Sequence, residues 1–230
     1  MDEIDHIFTE WPTYGSPRIT AELARRGMIV NHKCVERLMN VMGLQALYPR
    51  PKSSVSNPAH PVYPYQLKGL QIVRPNQVWG TDITFIRIQG SWFYLIAFLD
   101  WYSRYVVTWS LGDQATATFC REALDAALLI AIPEIHNSDQ GSQFTAEEYL
   151  ASLVAANVKI SMDGRGRCFD NIFTERLWRT VKYEEVYVKE YASPKDARAS
   201  LGSYFEAYNF RRLHSSLNYK TPAEIYFGGD

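Results

Sequence analysis

The amino-acid sequence predicts an α/β fold, in which a mixed five-stranded sheet with flanking helices follows a small helical segment. Three runs rich in β-branched and aromatic residues, QVWGTDITFIRI, SWFYLIAFLD and SRYVVTWSL, follow one another with only short breaks. Helical and strand-like patterns then alternate, whereas the start of the chain shows helical patterns alone. Hairpin strands followed by helix–strand alternation are typical of a mixed sheet.

The composition excludes several classes of protein. At 230 residues, with 47% hydrophobic and 14% aromatic residues, the chain has the make-up of a folded globular protein rather than a disordered one. It shows no signal-peptide pattern and no apolar run long enough to cross a membrane, so we expect a cytoplasmic protein. Its three cysteines lie far apart, which argues against a disulfide framework and a structural zinc site.

The charges are unevenly distributed along the chain. The formal net charge is −1, which by itself argues weakly against a nucleic-acid partner. Residues 113–150, however, carry seven acids and one base, whereas residues 159–182 carry six bases and three acids. A local basic stretch therefore exists inside a neutral total, as the binding of phosphate groups requires.

Residues 1–48 are predicted to form the small helical segment, with two short helices around a turn. The first helix has Ser16 as its N-cap and ends at Gly27, and the second begins after Asn31 and ends at Gly43. Apolar residues recur at helical spacing in both.

This helix pair fits a helix-turn-helix and a plain helical hairpin about equally well. In a helix-turn-helix, the second helix would expose Lys33 and Arg37 to DNA. A plain hairpin would leave the same residues on a solvated surface.

The rest of the chain divides into three parts. Residues 49–76 are rich in proline and serine and lack periodicity, which predicts a linker. Residues 77–190 hold the predicted sheet and its helices, and residues 191–230 hold a C-terminal helix and tail. After the three hairpin strands, the pattern predicts helices at 115–131 and 145–157, short strands at 134–139 and 158–162, and two last helices near 170–187 and 194–209.

Three acids are placed to meet at one end of this sheet. Asp82 lies in the first strand, Asp139 at the end of the fourth, and Glu175 on the helix after a glycine-containing loop. The hairpin strands occupy one edge of the first strand, so a right-handed connection puts the fourth strand beside its other edge. Asp82 and Asp139 are therefore expected to be neighbours, and 35 residues separate Asp139 from Glu175.

A cluster of three carboxylates favours a divalent metal site. Like charges at close range disfavour each other's ionisation, and a cation removes that cost. Oxygen ligands suit Mg²⁺ or Mn²⁺, and two such ions support displacement at a phosphodiester. Taken singly, each acid of this chain is more often a solvated or capping residue.

The same residues carry a resemblance to a known family. The motifs WGTDIT, HNSDQGSQF and FDNIFTERLWRTVKYE resemble the catalytic core of transposases from two-reading-frame bacterial insertion sequences, specifically their OrfB products, which are related to retroviral integrases. The segment YGSPRITAELARRGMIVNHKCVERLMNVMGL is similar to the helices that precede that core, and YNFRRLHSSLNYKTPAEIY to its tail. The resemblance covers nearly the whole chain.

The resemblance implies a ribonuclease-H-like integrase core. It implies two Mg²⁺ ions, for which Mn²⁺ is expected to substitute, held by Asp82, Asp139 and Glu175 as the catalytic residues. The implied reaction is cleavage at the ends of the insertion sequence, followed by transfer of a 3′-hydroxyl into DNA. It also implies that Lys182, seven residues after Glu175, lies near the terminal DNA.

Several polar and basic residues around the acids are expected to contact DNA. Gly141 is expected to let the backbone turn close to DNA, and Asn171 fits an N-cap at least as well as a DNA contact. Trp178 fits core packing better than stacking on a base. The candidate DNA contacts are Gln140, Ser142, Gln143, Arg165, Arg167, Asn171, Arg179 and Lys182, besides Lys33 and Arg37 of the helical segment.

The resemblance also implies partners. These are the terminal repeats of the insertion sequence, target DNA, further copies of the chain assembled on DNA, and an upstream OrfA-type protein or fusion, in a cytoplasmic, nucleoid-associated setting. In the family, the upstream protein carries a leucine zipper, and this chain has no heptad run. The chain also begins just before its helical pair, so we expect an N-terminally shortened OrfB product.

Two other functions remain open on the sequence. One is a related ribonuclease-H-like nuclease, which would hydrolyse nucleic acid without joining it. The other is a catalytically idle DNA-binding or regulatory fragment, although a pure binder gains nothing from carboxylates beside phosphate.

Overall fold

The computed structural model describes residues 1–47, 63–164 and 171–228. The chain divides into two compact units, Met1–Val55 and Ser56–Asp230. None of the described helices is long and apolar enough to cross a membrane.

The first unit is built from three helices, α1 (Asp2–Glu10), α2 (Ser16–Arg25) and α3 (His32–Val41). Their apolar faces enclose a small core, in which the fully buried side chains are Ile4, Ile7, Ile19, Leu23, Val35 and Met39. The predicted pair corresponds to α2 and α3, whereas α1 was not predicted. The apolar stripe of α1 spans only a few residues of sequence. It is recognisable as a stripe only when the helix is seen packed against the other two helices.

The helix ends of the first unit follow the predicted signals closely. The side chain of Asn31 accepts a hydrogen bond from the backbone N–H of Lys33 and so caps α3. Gly27 and Gly43 adopt φ values of 82° and 68° just after α2 and α3, a conformation that favours glycine. The start of α2 differs by one residue, because Gly15 is the N-cap and Ser16 is already helical.

The described part of the predicted linker, residues 63–76, belongs to the second unit and packs against its sheet. The backbone N–H and side-chain amide of Gln66 hydrogen bond to Ser161 and Ile160, and Leu67 is buried. This differs from the linker predicted across residues 49–76. Proline and serine content indicated a segment without regular structure, but such a segment can still pack against a sheet.

The second unit contains the predicted five-stranded mixed sheet. Its strands are β1 (Val78–Ile88), β2 (Ser91–Asp100), β3 (Val106–Gly112), β4 (Ile135–Ser138) and β5 (Lys159–Met162). Their order is β3-β2-β1-β4-β5. The first three strands pair antiparallel, and β4 pairs parallel with both β1 and β5. The prediction that the fourth strand lies beside the first is confirmed.

Helices cover both faces of this sheet. One face packs against α4 (Ala117–Leu128) and α5 (Glu147–Ala155), with Trp79 of β1 in that core. The other face packs against α6 (Ile172–Val181) and α7 (Pro194–Phe210), with Val78 of β1 in that core. Neighbouring residues of β1 thus point to opposite faces, as the pleat of a strand requires.

The C-terminal part of the second unit has two irregular features. A five-residue π-helical turn, Lys182–Val186, continues α6, and its closing hydrogen bond joins the Tyr187 N–H to the Lys182 carbonyl at 2.8 Å. After α7, a short 3₁₀ turn, Ser215–Leu217, leads to α8 (Pro222–Phe227). Neither feature was predicted.

Candidate active site

The sheet places Asp82 and Asp139 at the same level on neighbouring strands. The parallel pairing of β1 and β4 sets Gly80 opposite Asn137. Asp82 and Asp139 each follow two residues later, and β4 ends at Ser138. The two carboxylates therefore lie where the paired strands separate, which is where ligands bind in open sheets with parallel strands.

The carboxylate of Asp82 is held by two hydrogen bonds. The backbone N–H of Ile83 donates to Oδ1 at 2.8 Å, and the indole Nε1 of Trp178 donates to Oδ2 at 3.1 Å. Trp178 is itself buried in the core beneath α6. The prediction of core packing was right, but its contact with the acid was missed. The sequence did offer a signal for this contact, because Trp178 carries an indole N–H one helical turn after Glu175.

Helix α6 lies close against β1 at this point. A Cβ atom added at Gly80 would lie 2.8 Å from Oγ1 of Thr174, so glycine permits the close approach. The side-chain amide of Asn171 donates to the carbonyl of Thr81 at 3.2 Å. Glu175 follows Thr174 directly and is exposed, so it stands at the edge of the contact between α6 and β1.

The electrostatics of the site link the three acids. Burial raises the pKa of Asp82 to about 7, and the negative charges of Asp139 and Glu175 raise it as well, against the lowering effect of the Ile83 and Trp178 hydrogen bonds. Loss of water around its carboxylate also raises the pKa of Asp139. The ionised form of Asp82 is thus disfavoured in the metal-free protein.

The three acids have the donor type that a divalent metal needs, but their side chains are not close enough together in this structure to bind one. All three are carboxylates, the ligand type that Mg²⁺ and Mn²⁺ prefer. Among the described residues, however, no group of three His, Cys, Asp or Glu side chains is close enough to hold a metal ion. Asp82 and Asp139 are positioned by their strands, whereas the exposed Glu175 side chain has room to move toward them.

The loop after Asp139 holds that carboxylate through its backbone. The N–H of Gly141 donates to Oδ1 of Asp139 at 2.9 Å, and a Cβ atom at position 141 would lie 2.9 Å from the same oxygen. The Gln140 side chain donates to the carbonyl of Asp163 at 2.8 Å and so braces the loop against β5. Ser142 is exposed, and its hydroxyl lies 3.4 Å from Oε1 of the half-buried Gln143.

The basic residues of α6 divide between two surfaces. Arg179 is exposed and shares a groove of about 710 Å³ with Glu175, Arg176 and Tyr183, here called the Glu175 groove. Lys182 lies instead in a separate apolar recess, beside aromatic residues of the β1–β2 hairpin.

Two predicted orientations on this helix differ in the structure. Regular helical spacing predicts that Asn171 and Lys182 lie on the same line as Glu175 and Arg179. Asn171 occupies the N-cap position with a non-helical φ of −129°, and its buried side chain points to β1. Lys182 begins the π-helical turn. The helical periodicity behind the prediction therefore applies only between these two residues.

The remaining candidate DNA contacts lie elsewhere. Lys33 and Arg37 are exposed on α3 and line a shallow depression there together with Asn40. Arg165 and Arg167 lie outside the described residues. Asp100, at the end of β2, accepts hydrogen bonds from the N–H and hydroxyl of Ser103.

Comparison with protein families identifies three matching segments. Family models described as integrase core domain match residues 73–168 and 156–222. A model described as HTH-like domain matches residues 1–52. Together they cover both units of the chain.

Several curated proteins are similar over most of the chain. The insertion element IS600 uncharacterized 31 kDa protein of Shigella sonnei is 33% identical over 96% of this chain and 84% of its own length. In Escherichia coli, the transposase InsF for insertion sequence IS3A is 35% identical, and the putative transposase InsK for insertion sequence element IS150 is 32% identical. Both matches cover 92% of this chain and 76% of the relative.

Solved structures share the fold. The magnesium-bound HTLV-2 integrase catalytic core domain is 20% identical and matches with a TM-score of 0.57 over 68% of this chain and 99% of its own. A chain in the structure of the simian T-cell lymphotropic virus intasome in complex with PP2A regulatory subunit B56 gamma is 15% identical, with a TM-score of 0.60 over 98% of this chain and 74% of its own. The ribonuclease-H-like integrase fold is thus confirmed, and from the extent and identity of the curated matches the chain belongs to the family of insertion-sequence transposases that contain an integrase core domain.

Proposed function

We propose that the chain is a DDE polynucleotidyl transferase that cleaves the ends of an insertion sequence and joins the freed 3′-hydroxyl to DNA. The observation that carries this proposal is the position of Asp82 beside Asp139 where two parallel strands separate, under the helix that bears Glu175. The negative charges of Asp139 and Glu175 both act on Asp82 there. A site built only for structure has no use for this arrangement of anions.

Asp82, Asp139 and Glu175 would hold the metal, which we propose to be two Mg²⁺ ions, with Mn²⁺ as a substitute. The donor set consists of carboxylates, and the similar HTLV-2 integrase domain was solved with magnesium. Divalent ions bound there would activate the attacking oxygen and stabilise the leaving oxygen during displacement at phosphorus.

The protein's own contribution is to orient these ligands. Trp178 and the backbone of Ile83 fix both oxygens of Asp82, and Gly141 fixes one oxygen of Asp139. In the first step, water attacks a phosphodiester and leaves a 3′-hydroxyl at the end of the element. In the second, that hydroxyl attacks another phosphodiester, so one bond forms as one breaks. Neither step requires a covalent link between protein and DNA.

DNA is proposed to reach the acids along α6. Arg179 shares the Glu175 groove and is placed to contact a backbone phosphate there, and Ser142 and Gln143 border Asp139 on the exposed side. Lys182 remains a proposed contact, but from its own recess next to the hairpin. Gln140 and Asn171 are engaged with the protein backbone, so their proposed role becomes the support of the site.

The first unit is proposed to bind DNA through α3. Its exposed face carries Lys33 and Arg37, and the unit matches the HTH-like domain. The proposed DNA partners are the terminal repeats and target DNA. Assembly of several copies on DNA is supported by the similarity to an intasome chain, and an OrfA-type partner or fusion is proposed from the family alone.

The test is cleavage and strand transfer by the full chain on DNA that carries the sequences flanking its gene, with Mg²⁺ or Mn²⁺. Glu175→Gln should abolish both reactions and leave the fold intact, because the substitution removes a charged metal ligand. Glu206→Gln, an exposed acid of α7, is the matched control and should keep both. Retention of most activity by Glu175→Gln would refute the assignment.

The same assay separates the alternatives. Hydrolysis without a joined product would indicate a related ribonuclease-H-like nuclease. Tight binding of the ends without cleavage or joining, even of pre-cleaved ends with Mn²⁺, would indicate an idle DNA-binding or regulatory fragment.

Lys182 is tested by the salt dependence of end binding. Lys182→Ala should weaken binding and reduce the slope of log affinity against log salt by about one, because one phosphate contact is lost. Lys195→Ala, an exposed lysine of α7, is the control. An unchanged slope for Lys182→Ala would show that Lys182 does not contact a DNA phosphate.

A further inference from the structure

A second concave surface, here called the arginine pocket, adjoins the Glu175 groove. It encloses about 300 Å³, and Arg176 and Thr180 of α6 line both surfaces. The basic side chains of the arginine pocket and its two serines come from three separate parts of the second unit, namely Arg104, Arg176, Arg212, His214, Ser215 and Ser216. The last four belong to the tail motif RRLHSS, to which the proposed reaction assigns no role.

The backbone directs Arg104 into this pocket. Arg104 follows β2 and has a φ of 64°, an uncommon conformation for a residue other than glycine. Its N–H donates to the carbonyl of Asp100 at 2.8 Å, and the Asp100 carboxylate holds Ser103 in the same turn. The guanidinium then lies over the ring of Phe173, with 3.6 Å from Cζ to the ring centroid. A strained residue held this firmly is typical of a functional site.

The positive charge of the arginine pocket is only partly neutralised. Arg212 is paired with Glu184, with contacts of 2.7 and 2.9 Å. Within the described residues, neither Arg104 nor Arg176 forms an ion pair, and Nη1 of Arg104 is buried without a hydrogen-bond partner. Both oxygens of Asp100 already accept hydrogen bonds from backbone or hydroxyl groups. A buried donor without a partner is costly, and an anion would satisfy it.

The pKa of His214 is affected by the same positive charges. Its pKa is lowered to about 4, first by burial and then by the charges of Arg212, Arg104 and Arg176. Nε2 of His214 lies 3.4 Å from Nη1 of Arg212. Arginine can only donate, so Nε2 accepts, and Nδ1 of the neutral ring carries the hydrogen. The ring therefore adds no positive charge at neutral pH.

The chemistry of the arginine pocket selects a phosphate group. Guanidinium groups match phosphate oxygens through paired hydrogen bonds, and the hydroxyls of Ser215 and Ser216 are further donors. We propose that the arginine pocket binds one backbone phosphate of the DNA whose cleaved strand occupies the Glu175 groove. This rests on the proposed function, and Arg176 is the charged residue that lines both surfaces.

The first experiment tests phosphate binding without catalysis. Inorganic phosphate is titrated into the full chain in EDTA at constant ionic strength, and the imidazole NMR signals of His214 are followed. The signals should shift with saturation. Arg104→Gln and Arg176→Gln should each weaken the apparent affinity by about tenfold, since each removes a charge-assisted contact. Arg211→Gln is the matched control, because it removes an exposed arginine that does not line the pocket.

Arg176 keeps this test decisive if the Arg104 variant folds poorly. Arg176 is exposed, so its replacement should leave the fold intact. The absence of a saturable shift, or an equal loss of affinity in Arg211→Gln, would overturn the phosphate site.

The second experiment decides whether the phosphate belongs to DNA. The affinity for duplex DNA is measured against salt concentration in EDTA. Arg104→Gln and Arg176→Gln should each reduce the slope by about one, and Arg211→Gln should not. If the pocket binds inorganic phosphate but neither variant changes the slope for DNA binding, the bound phosphate does not belong to DNA. That result would indicate a site for free phosphate instead. Neither experiment needs cleavage or joining, so failure of the pocket is distinguishable from failure of the proposed function.

Discussion

Replacing Asp82 by asparagine should change the pH dependence of folding in a defined direction. Burial and two neighbouring negative charges raise the pKa of this carboxyl from the ordinary 3.8 to about 7 in the metal-free protein. The folded state therefore holds the proton more tightly than the unfolded state. Stability from this group is fully present below pH 3.8 and is lost as the pH rises through about 7.

The magnitude follows from that difference in pKa. About three pH units at about 1.4 kcal/mol each set an upper limit near 4 kcal/mol. Asp82 is half-buried, and solvent screening reduces the expected effect to about 1–2 kcal/mol. Asparagine has only one side-chain oxygen, so it cannot accept the hydrogen bonds from both Trp178 and Ile83 as the two carboxylate oxygens do. The loss of that hydrogen bond does not depend on pH. The change between two pH values thus isolates the ionisation.

The assay is thermal unfolding of the wild type and Asp82→Asn in EDTA at pH 5 and pH 8. Between pH 5 and pH 8, the free energy of unfolding of the variant should rise by about 1–2 kcal/mol relative to that of the wild type. This corresponds to a relative rise in melting temperature of about 2–8 °C for a unit of this size. Asp113→Asn, which removes an exposed acid, controls for the change in net charge. Mg²⁺ at pH 8 should stabilise the wild type and not Asp82→Asn. A stability difference that is the same at both pH values would refute the reasoning.

Two further substitutions test the surroundings of the site, and a third tests the π-helical turn that follows α6. Trp178→Phe keeps an aromatic ring in the core but loses the hydrogen bond to Asp82, so cleavage should slow by about 10–100-fold while the smaller ring lowers the melting temperature by only a few degrees; an unchanged rate would contradict this. Gly141→Ala places a methyl group 2.9 Å from an oxygen of Asp139, so cleavage should fall while the fold persists, and full activity would count against the loop geometry. Glu185→Ala removes a buried carboxylate that accepts hydrogen bonds from Lys189, Tyr191 and Ser200, so urea unfolding should show a loss of about 2–4 kcal/mol, and a loss below about 0.5 kcal/mol would argue against the network.

The adjacency of Asp82 and Asp139 could be predicted from the sequence because it depends on topology. Three hairpin strands use one edge of the first strand, and a right-handed crossover leaves the fourth strand only the other edge. Glu175 was assigned through its motif and its helix. These are properties of sequence order and periodicity, which a single chain displays.

The contacts around the acids could not be predicted in the same way. The hydrogen bond from Trp178 to Asp82 joins residues 96 positions apart and depends on how deeply α6 packs on β1. Asn171 and Lys182 were misplaced because regular helical periodicity was assumed beyond both ends of α6.

The arginine pocket illustrates the same difficulty. Arg104, Arg176 and Arg212 come from a turn, a helix and the tail, and nothing in their spacing indicates that they meet. Only the tertiary structure shows that Arg104 has a buried donor without a partner among the described residues.

The most direct test of the central claim is the location of Mn²⁺ by anomalous scattering in crystals of the chain with cleaved end DNA. The proposal predicts manganese bound by carboxylate oxygens of Asp82 and Asp139, with Glu175 turned inward to complete the site. Manganese absent from these oxygens, while DNA occupies the Glu175 groove, would contradict it.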